Sequence, residues 1–152
     1  MAYNRTGTGM WTWIKSVGSV EDPLETQWLE NRDYLLRNVW FPKHPRSLVA
    51  GDLLVYYAAT KGVFPAVVEV LTGEVESDTN HARNSSRWPW RMSVRPRLVI
   101  PSLDDAPTLE QAGIDSLRLR RQSHILLNVE EWERIRAAYL PARRTGREVT
   151  PS

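Results

Sequence analysis

"GDLLVYYAATKGVFPAVVEV", residues 51–70, is the stretch on which the fold turns. Gly51-Asp52 reads as a turn. LLVYYA at 53–58 is apolar on both faces, the pattern of a strand inside a closed or covered sheet. Thr60-Lys61-Gly62 then turns the chain into VFPAVVEV at 63–70, completing a hairpin. Pro65 brings no N–H to a ladder, which places this second strand at an edge or a bulge.

Upstream, MWTWIKSV at 10–17 alternates aromatic with smaller residues and reads as a first strand. Asp22-Pro23-x-Glu25 has the order of a helix start, and Leu24, Trp28 and Leu35 would form its apolar face. NVWFPKHPR at 38–46 carries two prolines and reads as a loop. Downstream, RWPWRMSVRPRL at 87–98 puts Arg87, Arg91, Arg95 and Arg97 at odd positions, and Trp88, Trp90, Met92, Val94 and Leu98 at even ones. On a strand that is one guanidinium face and one aromatic–aliphatic face. A short helix follows, with Thr108 as cap and Gly113 as stop. SHILL at 123–127 reads as a last strand. Asn128-x-x-Glu131 caps a final helix with Trp132, Ile135 and Tyr139 on one face and Pro141 at its end. The order predicts an α+β chain: a small, curved β-barrel of about five to six strands with flanking helices. Residues 1–9 and 141–152 read as flexible ends around one domain at 10–140.

Cysteine is absent from the 152 residues, which removes disulfides, thiolate metal sites and thiol nucleophiles together and suits a reducing, cytoplasmic setting. No run of about 18 apolar residues offers a membrane span, and MAYNRTGTGM lacks the apolar core of a secretory signal. His44, His81 and His124 have no metal-ligand spacing, Gly7-Thr8-Gly9 lacks the rest of a phosphate loop, and no Gly-x-Ser-x-Gly elbow occurs. Adjacent Asp104 and Asp105 point apart in an extended chain. No metal, cofactor or catalytic residue is therefore expected.

Charge is unevenly placed. Residues 1–80 hold 7 Lys/Arg against 10 Asp/Glu, whereas residues 81–152 hold 13 against 8. That excess is the footprint of an anionic partner, although arginine outnumbers lysine 17 to 3 throughout the chain. Of the seven tryptophans, Trp13, Trp28 and Trp132 have core explanations; Trp40 falls in the proline-flanked segment, and Trp88 and Trp90 fall at the start of a strand.

Trp13-Ile14-Lys15-Ser16 resembles the first-strand signature of EVE and YTH domains of the PUA-like superfamily. The 51–70 hairpin is similar to that group's Gly-Asp, aromatic strand and return strand, and WRMSVRPRLVIP at 90–101 looks like the strand holding the EVE Trp-x-Met-Val-Asp-Val pattern. RQSHILLNVEEWERI at 121–135 resembles its Arg-x-x-Ser ending and closing helix. Departures are Ala58-Ala59 in place of His-Ser, Val17 in place of the YTH asparagine, and Val94 near a cage tryptophan, marking a divergent member.

The resemblance implies a PUA-like barrel with a pocket for one flipped-out nucleobase, methylated or hydroxymethylated, in DNA or RNA. It places Lys15, Ser16, Val17, Trp40, Tyr57, Arg121 and Ser123 at that pocket, with Trp88 or Trp90 at its rim. Arg87, Arg91, Arg95 and Arg97 are expected to lie exposed and meet phosphates, unless acids of neighbouring strands pair with them instead. The expected partner is nucleic acid, single-stranded or with a flipped base, and not a membrane. Two other classes stay open: an RNA- or nucleotide-processing hydrolase using Lys15, Arg121, Ser123 and His124, and a small-metabolite binding module.

Overall fold

The computed structural model describes residues 10–18, 21–72, 76–77, 90–119, 124–142 and 147–148. Its strands are β1 (Thr12–Val17), β2 (Asn38–Phe41), β3 (Leu53–Ala58), β4 (Val63–Val70), β5 (Glu76–Ser77), β6 (Trp90–Val99), β7 (His124–Leu126) and β8 (Arg147–Glu148). The helices are α1 (Leu29–Arg32), α2 (Leu109–Ala112) and α3 (Val129–Ala142), with 3₁₀ turns at Asp33–Leu36, Leu103–Asp105 and Ser116–Leu119. Among the described residues all strands join one sheet in the order β2-β6-β4-β3-β1-β7, with β5 and β8 each pairing with β6. The sheet is mixed: β1 runs parallel to β3, and the other pairs are antiparallel.

This sheet curls into a half-barrel. Six flat strands would hold the outermost two about 24 Å apart at the usual strand spacing. Instead, the ring of Phe41 on β2 lies 5.3 Å from that of His124 on β7. Among the described residues no backbone ladder joins these two edges. They meet through side chains, and the face on which they meet is the concave one.

Register then sorts the residues, because partners directly opposite share a face. Lys15 pairs with Tyr56 of β3 and His124 of β7, while Tyr56 pairs with Ala66 of β4. On the far side of the sheet, Phe41 pairs with Trp90 and Val39 with Met92. These residues look inward. Tyr56 is fully buried and donates to the Leu35 carbonyl at 2.5 Å, tying the 29–36 segment to that face. Trp28, also buried, donates from its indole to the Ile100 carbonyl at 2.8 Å. Against the hairpin, α3 buries Ile135 and Tyr139, and the Tyr139 hydroxyl donates to the Phe64 carbonyl at 2.8 Å.

The helix expected from Asp22 onward is a single turn beginning at Leu29. Arg32 is the reason. Its guanidinium is buried and gathers the Asp22 carboxylate, the Asp22 and Pro23 carbonyls and Glu25, so the expected capping residues wrap around it as a loop. The segment read as a loop at 38–46 begins instead with β2, whose Val39 and Phe41 are buried while Asn38 and Trp40 are half-buried. Its prolines bound the strand only from the C-terminal side. Pro65 lies in a central strand, and β3–β4 pairing shifts register between Tyr56 and Ala58, beside the missing N–H. The bulge is what admits it.

Both short-range caps form. Thr108 and Gln111 exchange side-chain and backbone hydrogen bonds ahead of α2, Gly113 ends it at φ 67°, and Asn128 and Glu131 do the same ahead of α3. The last helix runs through Pro141 to Ala142, one residue beyond the expected stop. Residues 147–148, within the segment read as a flexible tail, pair with Leu98 and Val99. Among the described residues no helix is long and apolar enough to cross a membrane.

Candidate nucleic-acid interface

The concave site is built where β2 and β7 approach across β1. Lys15 is 1% exposed, a rare state for a primary amine. Its Nζ donates to the Ser16 carbonyl at 2.6 Å and lies 5.1 Å from the centre of the Phe41 ring. Burial pulls its pKa down to about 7, because the charged ammonium loses water that the rings replace poorly. His124, its register partner, is also shifted down, first by burial and then by the Lys15 charge. Around this pair stand Trp13, 5.5 Å from His124, and Trp11, 6.0 Å from Trp13. Asp52 anchors that corner: its buried carboxylate accepts from the Trp13 indole, the Trp11 and Val49 N–H groups. At the lip, the exposed ring of His44 meets half-buried Trp90 edge-on at 4.9 Å.

The convex side of the β2–β6–β4 half is different. Asn38 pairs with Ser93, Trp40 with Arg91, and Glu69 with Arg95, so these residues share the outer face, and all of them are half-buried. Tyr34 meets Trp40 edge-on at 5.5 Å. The Arg91 guanidinium donates to the Asn38 side chain at 3.3 Å. Arg95 and Arg97 converge on one carboxylate, with Glu69 accepting from them at 3.2 and 2.7 Å. A register shift between Val67 and Val68 leaves Arg97 unopposed in the ladder and brings it beside Arg95. The arginine face is thus half-exposed, and two of its members already have a cross-strand acid.

The expected pocket residues divide between the two faces. Lys15, Val17 and Trp90 lie on the concave face; alternation puts Ser16 and its register partner Tyr57 on the other, as it does Trp40. Tyr57 is buried against Phe64, with ring centres 5.6 Å apart, and burial raises its hydroxyl pKa. Arg87, Trp88, Arg121 and Ser123 lie outside the described residues, so of the hydrolase set only Lys15 and His124 are seen together. Among the described residues no group of three His, Asp or Glu could hold a metal ion.

Sequence reasoning missed Phe41 and His44, and left open a cross-strand acid for the arginines without naming Glu69, which meets Arg95 and Arg97. Phe41 was legible in the apolar spacing of Val39 and Phe41, and Glu69 as the lone acid in an apolar strand. His44 had no signal, because only chain curvature brings it to Trp90.

No family model matches the chain, and no curated protein matches it. Solved structures do. A hypothetical protein from Leishmania major shares 14% identity at a TM-score of 0.55, over 86% of this chain and 95% of that one. A structural-genomics protein from Pseudomonas syringae shares 14% at 0.53, over 85% and 99%. One from Agrobacterium tumefaciens shares 16% at 0.50, over 93% and 99%. At such identities the likeness shows the fold alone: an α+β curled sheet, shared over nearly the full length of those chains.

Proposed function

We propose that this chain is an EVE-like module of the PUA-like superfamily that binds DNA or RNA and reads one flipped-out, methylated or hydroxymethylated base. The observation that carries the reading is the seam between β2 and β7. Among the described residues it carries a ring contact and no backbone ladder, so a planar ligand that parts it there breaks no described strand pairing. Stacking on such rings contributes about 1–3 kcal/mol per base whatever the sequence, and edge contacts then select the base. His124 and the Lys15 amine are the polar groups beside the rings.

A flipped base also needs phosphate contacts to offset lost stacking. Trp90 and Arg91 supply the link, since neighbours on one strand point to opposite faces. A strand crossing the β2–β6 end can lay a base toward Trp90 and His44 and its phosphates toward Arg91, Arg95 and Arg97. A second placement is the arginine face itself, where the half-buried ring of Trp40 lies opposite Arg91.

The test is a binding screen with single-stranded DNA and RNA oligonucleotides, each carrying unmodified, 5-methylated or 5-hydroxymethylated cytosine, or N6-methylated adenine. The expected result is salt-dependent binding that is tightest for one modified base. Absence of binding to every oligonucleotide at low salt overturns the reading. Turnover of any of them would move the chain to the hydrolase class.

A further inference from the structure

We infer that Glu69 is a built-in brake on sequence-independent nucleic-acid binding: its carboxylate occupies two phosphate-facing guanidiniums and halves their net charge. The inference rests on the proposed nucleic-acid reading and adds to it a means of keeping unmodified strands weakly bound.

Three observations support it. Glu69 accepts from Arg95 through both of its oxygens, at 3.3 and 3.2 Å, and from Arg97 at 2.7 Å, so one carboxylate serves two cations. The three side chains stay within reach of solvent, with exposures of 39% for Arg95, 37% for Arg97 and 14% for Glu69. The acid is therefore the innermost member and the guanidiniums the outer ones. Finally, Arg95 Nε is shielded from water and has no hydrogen-bond partner among the described residues, a donor that an incoming oxyanion can reach only by shifting the guanidinium.

The charge of this cluster is +1, from two arginines and one glutamate. A phosphate approaching it meets the attraction of one net cation. Without the carboxylate it would meet two, and the affinity of every strand would rise, modified or not, because phosphates carry no sequence information. Glu69 also holds together two like charges that would otherwise repel. It resembles a permanently bound phosphate in this respect, which a strand must partly displace.

The experiment compares wild type, Glu69→Gln, Arg97→Ala and the double variant Glu69→Gln/Arg97→Ala. Each is titrated with a 20-nucleotide single strand of unmodified mixed sequence, and with the same strand carrying the modified base that wild type prefers, across potassium chloride concentrations. Circular-dichroism melting establishes that each variant is folded. Glu69→Gln is expected to steepen the slope of log affinity against log salt by about 0.7 and to tighten both strands by roughly fivefold at 0.15 M salt, leaving their ratio unchanged. Arg97→Ala should make the slope shallower than wild type. The double variant, again at +1, should return to the wild-type slope, which keeps the test decisive if Glu69→Gln alone folds poorly. Equal slopes in all folded proteins, or weaker binding by Glu69→Gln, overturn the brake while leaving the reader intact. A wild type that binds neither strand overturns the reader itself.

Discussion

The two faces of the β2–β6 ribbon are made from adjacent residues and have opposite chemistry. Inward, Val39, Phe41, Met92 and Val94 are buried, and Phe41 covers a lysine amine. Outward, Asn38, Trp40, Arg91, Ser93 and Arg95 stay half-exposed, and their charges are met by Asn38 and Glu69. A single-residue alternation is enough to separate them. What differs is how each face treats charge. The outer face pairs it across strands in contact with water, whereas the inner face shifts the pKa of the group it has buried.

The largest expected effect comes from that buried amine. The folded state releases the Lys15 proton near pH 7, while the unfolded chain holds it to about 10.5. Between these values the unfolded state binds more protons, so stability should rise with pH across the window. The gain should be on the order of 3–5 kcal/mol. Lys15→Met should remove this slope and raise stability at pH 6, as read by urea unfolding at a series of pH values. A wild-type stability flat between pH 7 and 10 would show that the ammonium is well solvated after all.

Phe41→Ala tests the inner face by packing. Losing a fully buried ring should lower unfolding stability by about 3–5 kcal/mol. A loss under about 1 kcal/mol would mean that the seam is looser than its ring contacts imply.

Tryptophans on the two faces sharpen the comparison. Trp40→Ala on the outer face and Trp90→Ala at the inner lip should each leave the fold more stable than Phe41→Ala does, because both indoles are only half-buried. Whichever face holds the base should lose about 1–3 kcal/mol of affinity on truncation. A stability loss in Trp40→Ala as large as that of Phe41→Ala would make Trp40 structural.

The smallest effect is a change of slope. If Arg91 meets one phosphate, Arg91→Ala should lower the salt dependence of log affinity by about 0.7–0.9 without changing base preference. An unchanged slope would keep its guanidinium within the protein, as in its contact with Asn38.

Local order along the chain was legible wherever neighbours in sequence decide it. The 51–70 hairpin, the caps at Thr108 and Asn128, and the alternation in 90–95 all depend on residues within a few positions of one another. Reading failed where a distant partner intervened. Arg32 took the residues that looked like a helix start, and β6 drew a proline-bounded tetrapeptide into a strand. The sequence by itself therefore determined the α+β class, the central hairpin and the two chemistries of β6. Only the tertiary structure decided that the sheet curls until β2 meets β7, that Lys15 lies beneath Phe41, that Trp40 faces the arginines, and that one glutamate serves two of them. The physical reason is that period and capping are short-range properties of a chain, whereas curvature and cross-strand pairing are set by contacts between segments far apart in sequence.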